Sequence, residues 1–410
     1  MSVAMGSPPV FLSAPHRVMF MAGALQSLLA VLLWSIDLGA RHAGLYAPVP
    51  WPAFQSFPPV WLHSLLMVYG VFLFFIFGFL MTALPKWVGA RALAGRAYLP
   101  PFLLLVAGWC GFYLALLLPA LLPSTLLLVA AGWSWGCWSL LKAARSGTNL
   151  DKSHAWAVLA ALALGVPGLL AFAAGLQWSE TSGVRAGIEI GVWGCLLPIF
   201  LTVSHRMLPF FSSTVIPRYT IYRSMPILWV MLLCFALHAV GSIFDCRSYL
   251  WPADALAAGL AFFLSWKWQA QRSFAVPLLA MHHVATLWLG AGLFLYALQG
   301  MLALLGVGWG GLAPLHALTI GYFASMLLGM ATRLTLGHSG RAVTADRTTW
   351  LLFWGFELVV VLRLAGEFVI WSGLGNLVWL ASIGWLMVFA QWCRIYLPFY
   401  LKPRPDGEPG

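Results

Sequence analysis

Long uninterrupted runs of apolar residues recur along the whole chain. Each run is about the length that crosses ~30 Å of hydrocarbon as an α-helix. The pattern predicts twelve spans, at residues 17–38, 60–84, 99–121, 124–143, 154–176, 186–208, 226–244, 251–269, 277–304, 313–336, 348–371 and 376–398. The period-two alternation of a membrane β-barrel is absent. We therefore predict an all-α, polytopic membrane protein, with residues 1–410 forming a single twelve-helix transmembrane domain. Because the ninth run is long, we expect that helix to be tilted or broken.

The charge pattern predicts how this bundle sits in the bilayer. The chain is 62% hydrophobic and only 8% charged, yet its net charge is +11. Most lysines and arginines outside the spans follow even-numbered spans, whereas only Arg41, Arg185 and Arg247 follow odd-numbered ones. Basic residues concentrate in cytoplasmic loops, so the excess charge indicates orientation in a lipid bilayer and not nucleic-acid binding. We expect both termini to be cytoplasmic.

The histidines are the most informative polar residues within the spans. His282 and His283 are adjacent inside the ninth span. Six histidines lie near the predicted cytoplasmic ends of spans, and four lie near the outer ends: His16, His154, His205, His282, His283 and His338 form the inner layer, and His42, His63, His238 and His316 the outer one. For His42, His154 and His238, a hydrogen bond to a neighbouring backbone explains the residue equally well.

Metal binding is the alternative role for these histidines. Polar groups at membrane depth are costly and usually face the bundle interior with partners. Imidazole is a common ligand of iron and copper. The six cysteines show no CxxC spacing, so a disulfide scaffold or a thiolate zinc site is not expected. The pattern favours a nitrogen-ligated transition-metal or haem site.

Among the charged residues of the predicted spans, Glu189, Glu357, Arg363 and Glu367 are candidates for a specific role. Arg363 and Glu367 are four residues apart and could form an ion pair on one helix face. Alternatively, Arg363 could bind an anionic cofactor group such as a haem propionate. Glu189 or Glu357 could relay protons.

Four stretches of the sequence form distinctive motifs: APHRVMFMAGALQ (14–26), LHSLLMVYGVFLFFIFGFLMTALPKW (62–87), SHRMLPFFSS (204–213) and PLHALTIGYFASMLLGMATRLTLGHSGR (314–341). These stretches resemble the NnrS family, which comprises bacterial twelve-span inner-membrane proteins associated with nitric oxide and containing haem and copper. In one motif the chain departs from the family. Many members read His-x-His-Glu-Met at the start of span two, and here Leu65 and Leu66 replace the second histidine and the glutamate.

The resemblance implies two cofactors, haem and copper. A haem could lie in the outer layer between His63 and His316, with Met67 as a further ligand and Arg363 as the propionate partner. No CxxCH attachment motif is present, so this haem is expected to be non-covalent haem b. A metal near the cytoplasmic face could be held by His282 and His283, and the expected co-ligands are His16, His205 and His338.

The function implied by the resemblance is binding of nitric oxide, with its reduction or detoxification by a membrane oxidoreductase. This activity would serve nitrosative-stress defence or denitrification and would need an electron donor that the sequence does not identify. Two alternatives stay open. One is a twelve-helix transporter, since Pro167 and Pro198 interrupt spans five and six. The other is a non-catalytic haem or copper accessory protein.

Overall fold

A computed structural model describes residues 9–42, 51–368 and 376–406 of the chain. These residues are predominantly helical, and no β-strand occurs among them. Helices satisfy every backbone polar group internally, as lipid requires. We label the long helices α1 (Pro15–His42), α2 (Pro59–Val88), α3 (Gly95–Ala115), α4 (Leu122–Ser146), α5 (Ser153–Gln177), α6 (Thr181–Val215), α7 (Met225–Ile243), α8 (Trp251–Lys267), α9 (Pro277–Leu304), α10 (Ala313–His338), α11 (Arg347–Phe368) and α12 (Asn376–Leu401).

The helices confirm a multi-pass, all-helical membrane architecture. Within the described residues, ten helices are long and apolar enough to cross a membrane. The predicted eighth and eleventh spans coincide with α8 and α11, which are not among those ten. The count of twelve spans and the cytoplasmic termini therefore stay predictions. Of the two expectations for the ninth span, a tilted or a broken helix, the structure contradicts the break, because α9 is one continuous helix of 28 residues. The tilt stays a prediction.

Proline and glycine set several helix boundaries. Pro59, Pro226, Pro252 and Pro277 lie in the first turn of α2, α7, α8 and α9. Proline suits this position because the first-turn N–H groups have no intrahelical partner. Gly89 ends α2 in the left-handed region, with φ of 71°, a conformation that glycine adopts without a Cβ clash.

Three helices, α2, α6 and α10, form the centre of the bundle. In their most apolar stretches 89%, 72% and 78% of residues are buried, against at most 56% in the other seven candidate spans of the described chain. Their neighbours in sequence cover them, since α1 packs against α2, α5 against α6 and α9 against α10. α1 also packs against α12, which joins the two ends of the chain.

Each central helix contains a π-helical segment. These segments are Leu66–Val71 in α2, Ile190–Leu196 in α6 and Ala317–Ala324 in α10, and no other π segment occurs in the described residues. Pro198, which has no N–H to donate, closely follows the segment in α6. Pro167 lies inside α5, which continues past it. π segments are rare and frequently occur at functional sites.

A phenylalanine cluster lies at or just after the C-terminal ends of the π segments. Phe72 of α2, Phe200 of α6 and Phe323 of α10 contact one another, with ring centroids 5.7, 5.8 and 4.8 Å apart. Phe72 lines an outer cavity of about 120 Å³, and Phe200 lines a middle, apolar cavity of about 50 Å³. A third, inner cavity of about 840 Å³ lies at the opposite ends of α2, α6 and α10. Three cavities thus follow one another along the central helices.

Candidate functional site

The outer cavity brings together all four residues that were predicted to bind a cofactor. His63, Met67, His316 and Arg363 line it, together with mostly apolar side chains from α1, α2, α6, α10, α11 and α12. Its wall is mainly apolar with a few convergent polar groups, as is typical of ligand pockets. All three π segments supply wall residues, including Met67 in α2, Val192 in α6 and Thr319 in α10.

His316 is oriented as a metal ligand would be. Its Nδ1 lies 2.9 Å from the carbonyl oxygen of Leu312. A carbonyl only accepts, so Nδ1 carries the proton and Nε2 keeps its lone pair. Metal-binding histidines almost always donate their other ring N–H to a carbonyl, a carboxylate or water. The residues present therefore fit a haem or a transition metal at Nε2.

His63 is held mainly by stacking. Its ring lies 4.1 Å from the Trp34 ring of α1, at an interplanar angle of 15°. Its Nδ1 is buried and has no hydrogen-bond partner among the described residues. Leu65 and Leu66, the positions that depart from the family motif, are fully buried and do not line the cavity. Their replacement therefore removes no polar group from the cavity wall.

Arg363 is both ion-paired and part of the cavity wall. Its Nη1 lies 2.7 Å from Oε1 of Glu367, which is the ion pair expected from their spacing. Glu367 Oε2 accepts a hydrogen bond of 3.1 Å from the N–H of Leu312, whose carbonyl oxygen holds His316. The pair thus anchors the His316 turn. One carboxylate satisfies only part of a guanidinium's five donors, so Arg363 can also bind an anionic group in the cavity.

The adjacent histidines of α9 face different partners. His282 Nδ1 donates to the carbonyl oxygen of Leu278 at 2.7 Å, and its ring contacts Phe211. His283 Nε2 lies 3.2 Å from the Ser212 hydroxyl of α6. Both rings are fully buried, and the second nitrogen of each has no hydrogen-bond partner among the described residues. The two histidines therefore have no common hydrogen-bond partner.

The other inner histidines form two separate pairs. The rings of His16 and His338 lie 4.5 Å apart. His154 Nε2 lies 2.9 Å from His205 Nδ1, and His205 Nε2 bonds to the Ser224 carbonyl oxygen, so neither His205 nitrogen is left for a metal. In the described chain no group of three or more His, Cys, Asp or Glu side chains could hold an ion. The five histidines predicted to bind the inner metal therefore do not surround one ion, and their individual ligand roles stay predictions.

The structure also assigns partners to the remaining polar residues of the spans. His238 Nδ1 lies 2.8 Å from Asp254 Oδ1, and the His238 ring stacks on Trp193 at 3.5 Å. Glu357 accepts hydrogen bonds from Trp288 and Ser325. Glu189 Oε2 is buried without a partner in the described region. The side chain of His42 lies outside the described residues.

These features define a class: a multi-pass helical membrane protein with a histidine-lined cavity between its central helices. The chain belongs to the NnrS family, because the family model described as "NnrS protein" matches residues 10–404. The matched range contains every residue predicted to bind a cofactor or metal. No curated protein matches the sequence. Family membership suggests a membrane protein related to nitric oxide.

Proposed function

We propose that this chain is a membrane metalloprotein that binds haem b in the outer cavity and nitric oxide at that haem. The observation that carries the proposal is that His63, Met67, His316 and Arg363, chosen from the sequence, line one cavity. The identity of the cofactor comes from the family resemblance. When bound, the iron would supply a centre that binds nitric oxide and exchanges electrons.

The cavity residues have distinct roles in this proposal. His316 is the permanent ligand, because its Nδ1–H is anchored and its Nε2 is free to coordinate. His63 is the exchangeable ligand, because its Nδ1 has no hydrogen-bond partner among the described residues. Arg363 binds a propionate, and the apolar wall excludes water. Nitric oxide is small and apolar, so it can reach the cavity from the bilayer.

Reduction is the activity that we propose for the bound nitric oxide. Two molecules of nitric oxide, two electrons and two protons give one nitrous oxide and one water. The electrons come from an external donor, which we identify only as a one-electron reductant. Glu189 is our candidate proton carrier, because it follows the cavity-lining residue Ile188 and its Oε2 is buried without a partner in the described chain.

For copper, we propose the pair of His16 and His338. Their rings lie 4.5 Å apart, and His16 Nδ1 has no hydrogen-bond partner among the described residues. Imidazole nitrogens are suitable copper ligands. His338→Ala should lower the copper content measured by metal analysis, whereas His154→Ala, in the other pair, should not.

The test is a spectrum of the protein purified in mild detergent, followed by addition of nitric oxide. We expect a Soret band that shifts when nitric oxide binds, and consumption of nitric oxide when a reductant is supplied. A shift without consumption would indicate an accessory protein that binds without turnover. A well-folded protein without haem would contradict the proposal.

A transporter is the second candidate function. The observation that favours it is the series of three cavities along α2, α6 and α10. However, the prolines that suggested broken helices lie in helices that continue. A colourless, metal-free and well-folded protein would favour this alternative.

A further inference from the structure

The inner cavity has a strongly basic wall. It is bounded by the ends of α2, α6 and α10, the loop before α7 and the segment after α12. Five cationic side chains line it: Lys86, Arg206, Arg223, Arg333 and Arg404. No aspartate or glutamate lines it. We call Lys86, Arg206, Arg223 and Arg333 the basic quartet.

The basic quartet has no carboxylate partner in the part of the chain that the structure describes. None of its members forms a salt bridge there, whereas Arg404 pairs with Asp406. The Asp151 carboxylate attracts the Arg206 and Arg223 guanidinium groups only through a longer-range Coulombic interaction. Several unpaired cations around one cavity repel each other, so an anion bound among them would be favoured.

Aromatic rings hold two members of the quartet in place. The Arg206 guanidinium lies 4.9 Å from the centre of the Trp87 ring, and the Arg333 guanidinium lies 3.9 Å from the centre of the Phe211 ring. Stacking of this kind orients the planar fork of arginine. The Arg223 Nη2 also donates to the carbonyl oxygen of Arg206, which joins α6 to the loop before α7. The site is therefore pre-organised.

Orientation in the bilayer alone does not explain this arrangement. The tendency of lysine and arginine to lie at the cytoplasmic face predicts dispersed, solvated cations. Here each of the three central helices contributes one cation, Lys86, Arg206 and Arg333, to the same cavity. That cavity measures about 840 Å³, which is ample for a ligand larger than a simple inorganic ion.

We propose that the inner cavity is a binding site for a phosphate-bearing anion, held by the basic quartet. A singly charged ion would leave most of the quartet uncompensated, whereas phosphate oxygens accept several charge-assisted hydrogen bonds. Phe210 and Ile221, each 49% exposed, add apolar surface to the wall. The phosphate belongs either to an anionic phospholipid or to a soluble phosphate compound, and basic pockets between membrane helices bind lipid headgroups.

Calorimetric titration of the detergent-purified full chain tests the proposal. The probes are short-chain phosphatidylglycerol, short-chain phosphatidylcholine and pyrophosphate. We expect saturable binding of phosphatidylglycerol or pyrophosphate, and weak or no binding of the zwitterionic lipid. Phosphatidylglycerol alone would identify a lipid as the source of the phosphate. Pyrophosphate alone would identify a soluble compound.

Variants show whether the cavity is responsible. Lys86→Gln and Arg223→Gln should each weaken binding roughly tenfold, the effect of losing one good charge-assisted contact. Arg91→Gln, an exposed arginine outside the cavity in the loop after α2, is the matched control and should bind normally. Failure of both anionic probes to bind the wild-type protein would overturn the proposal. So would an equal loss in Arg91→Gln. Neither readout requires haem, so this proposal can fail independently of the proposed function.

Discussion

At the scale of single residues, His63 and His316 share a cavity but are held differently. His316 is fixed by a hydrogen bond from Nδ1 to the backbone, whereas His63 is positioned by stacking on Trp34. A fixed imidazole keeps its ligand nitrogen oriented, whereas a stacked ring can move away. The two histidines should therefore behave differently when changed.

We expect His63→Ala to keep haem and to bind nitric oxide more readily. Removing the exchangeable ligand leaves one iron position open while His316 still holds the cofactor. Stopped-flow absorption should show a high-spin spectrum and nitric oxide binding about tenfold faster or more. Ile320→Leu, a change that conserves volume in the same wall, serves as the control. A variant with the wild-type spectrum and binding rate would exclude His63 as a ligand.

Some of these residues could be predicted from the sequence, and others could not. His63, Met67, His316 and Arg363 follow from the family motifs together with the depth of each residue in its span. The partners of the His282–His283 pair could not be predicted, because neighbouring side chains on a helix point about 100° apart. His282 bonds to Leu278 of its own helix, whereas His283 bonds to Ser212 of α6. In the sequence, the members of the basic quartet appeared only as basic residues near the cytoplasmic ends of spans. No local sequence pattern shows that the four segments carrying them meet at one cavity.

At the scale of helices, the π segments bring α2 and α6 close together. A Cβ added at Gly191 would lie 2.4 Å from Val68 Cγ1 and 2.8 Å from the Tyr69 hydroxyl. That hydroxyl donates to the carbonyl oxygen of Gly187 at 2.5 Å. Only a glycine permits this approach, and both contacting residues lie in the π segment of α2.

Gly191→Ala should destabilise the protein by about 1–3 kcal/mol, the usual effect of overpacking a close contact. Thermal unfolding in detergent measures the change. Gly194→Ala is the matched control in the same π segment, because its nearest neighbour would be 3.6 Å away. Equal stability of the two variants would show that α2 and α6 are not packed as described.

The helices themselves were predictable, but the π segments were not. The apolar runs located all twelve long helices of the described residues, although the run 99–121 continues past the end of α3 at Ala115, and the run 348–371 is described only as far as Phe368. The π segments themselves consist mostly of apolar or small residues, so the sequence shows no change of period there. The π segments depend on contacts between α2, α6 and α10. The apolar pattern of one helix contains no information about these contacts.

At the scale of the whole molecule, the orientation of the protein in the membrane is still a prediction. The basic loops and the inner cavity lie at the face that the charge pattern assigns to the cytoplasm. Cys246, an exposed free cysteine between α7 and α8, lies at the predicted outer face. Leu150, which is fully exposed between α4 and α5, lies at the predicted inner face.

A membrane-impermeant maleimide should therefore label Cys246 in intact bacterial cells. A chain carrying both Cys246→Ser and Leu150→Cys should react only after the cells are permeabilised, because its thiol would face the cytoplasm. Mass spectrometry of the purified chain locates the label. The reverse pattern would place the termini outside and invert the assignment of the two faces.

The most direct test of the central claim compares haem content in the wild-type protein and in His316→Ala, each with and without added imidazole. Haem is measured per chain after purification in mild detergent. We predict that the wild-type protein contains haem, that His316→Ala loses most of it, and that imidazole restores it by replacing the missing ligand. His282→Ala is the matched control, because His282 is also buried and also donates from Nδ1 to the carbonyl oxygen four residues earlier. This variant should keep the haem. Unchanged haem in His316→Ala, or a well-folded wild-type protein without haem, would contradict the account.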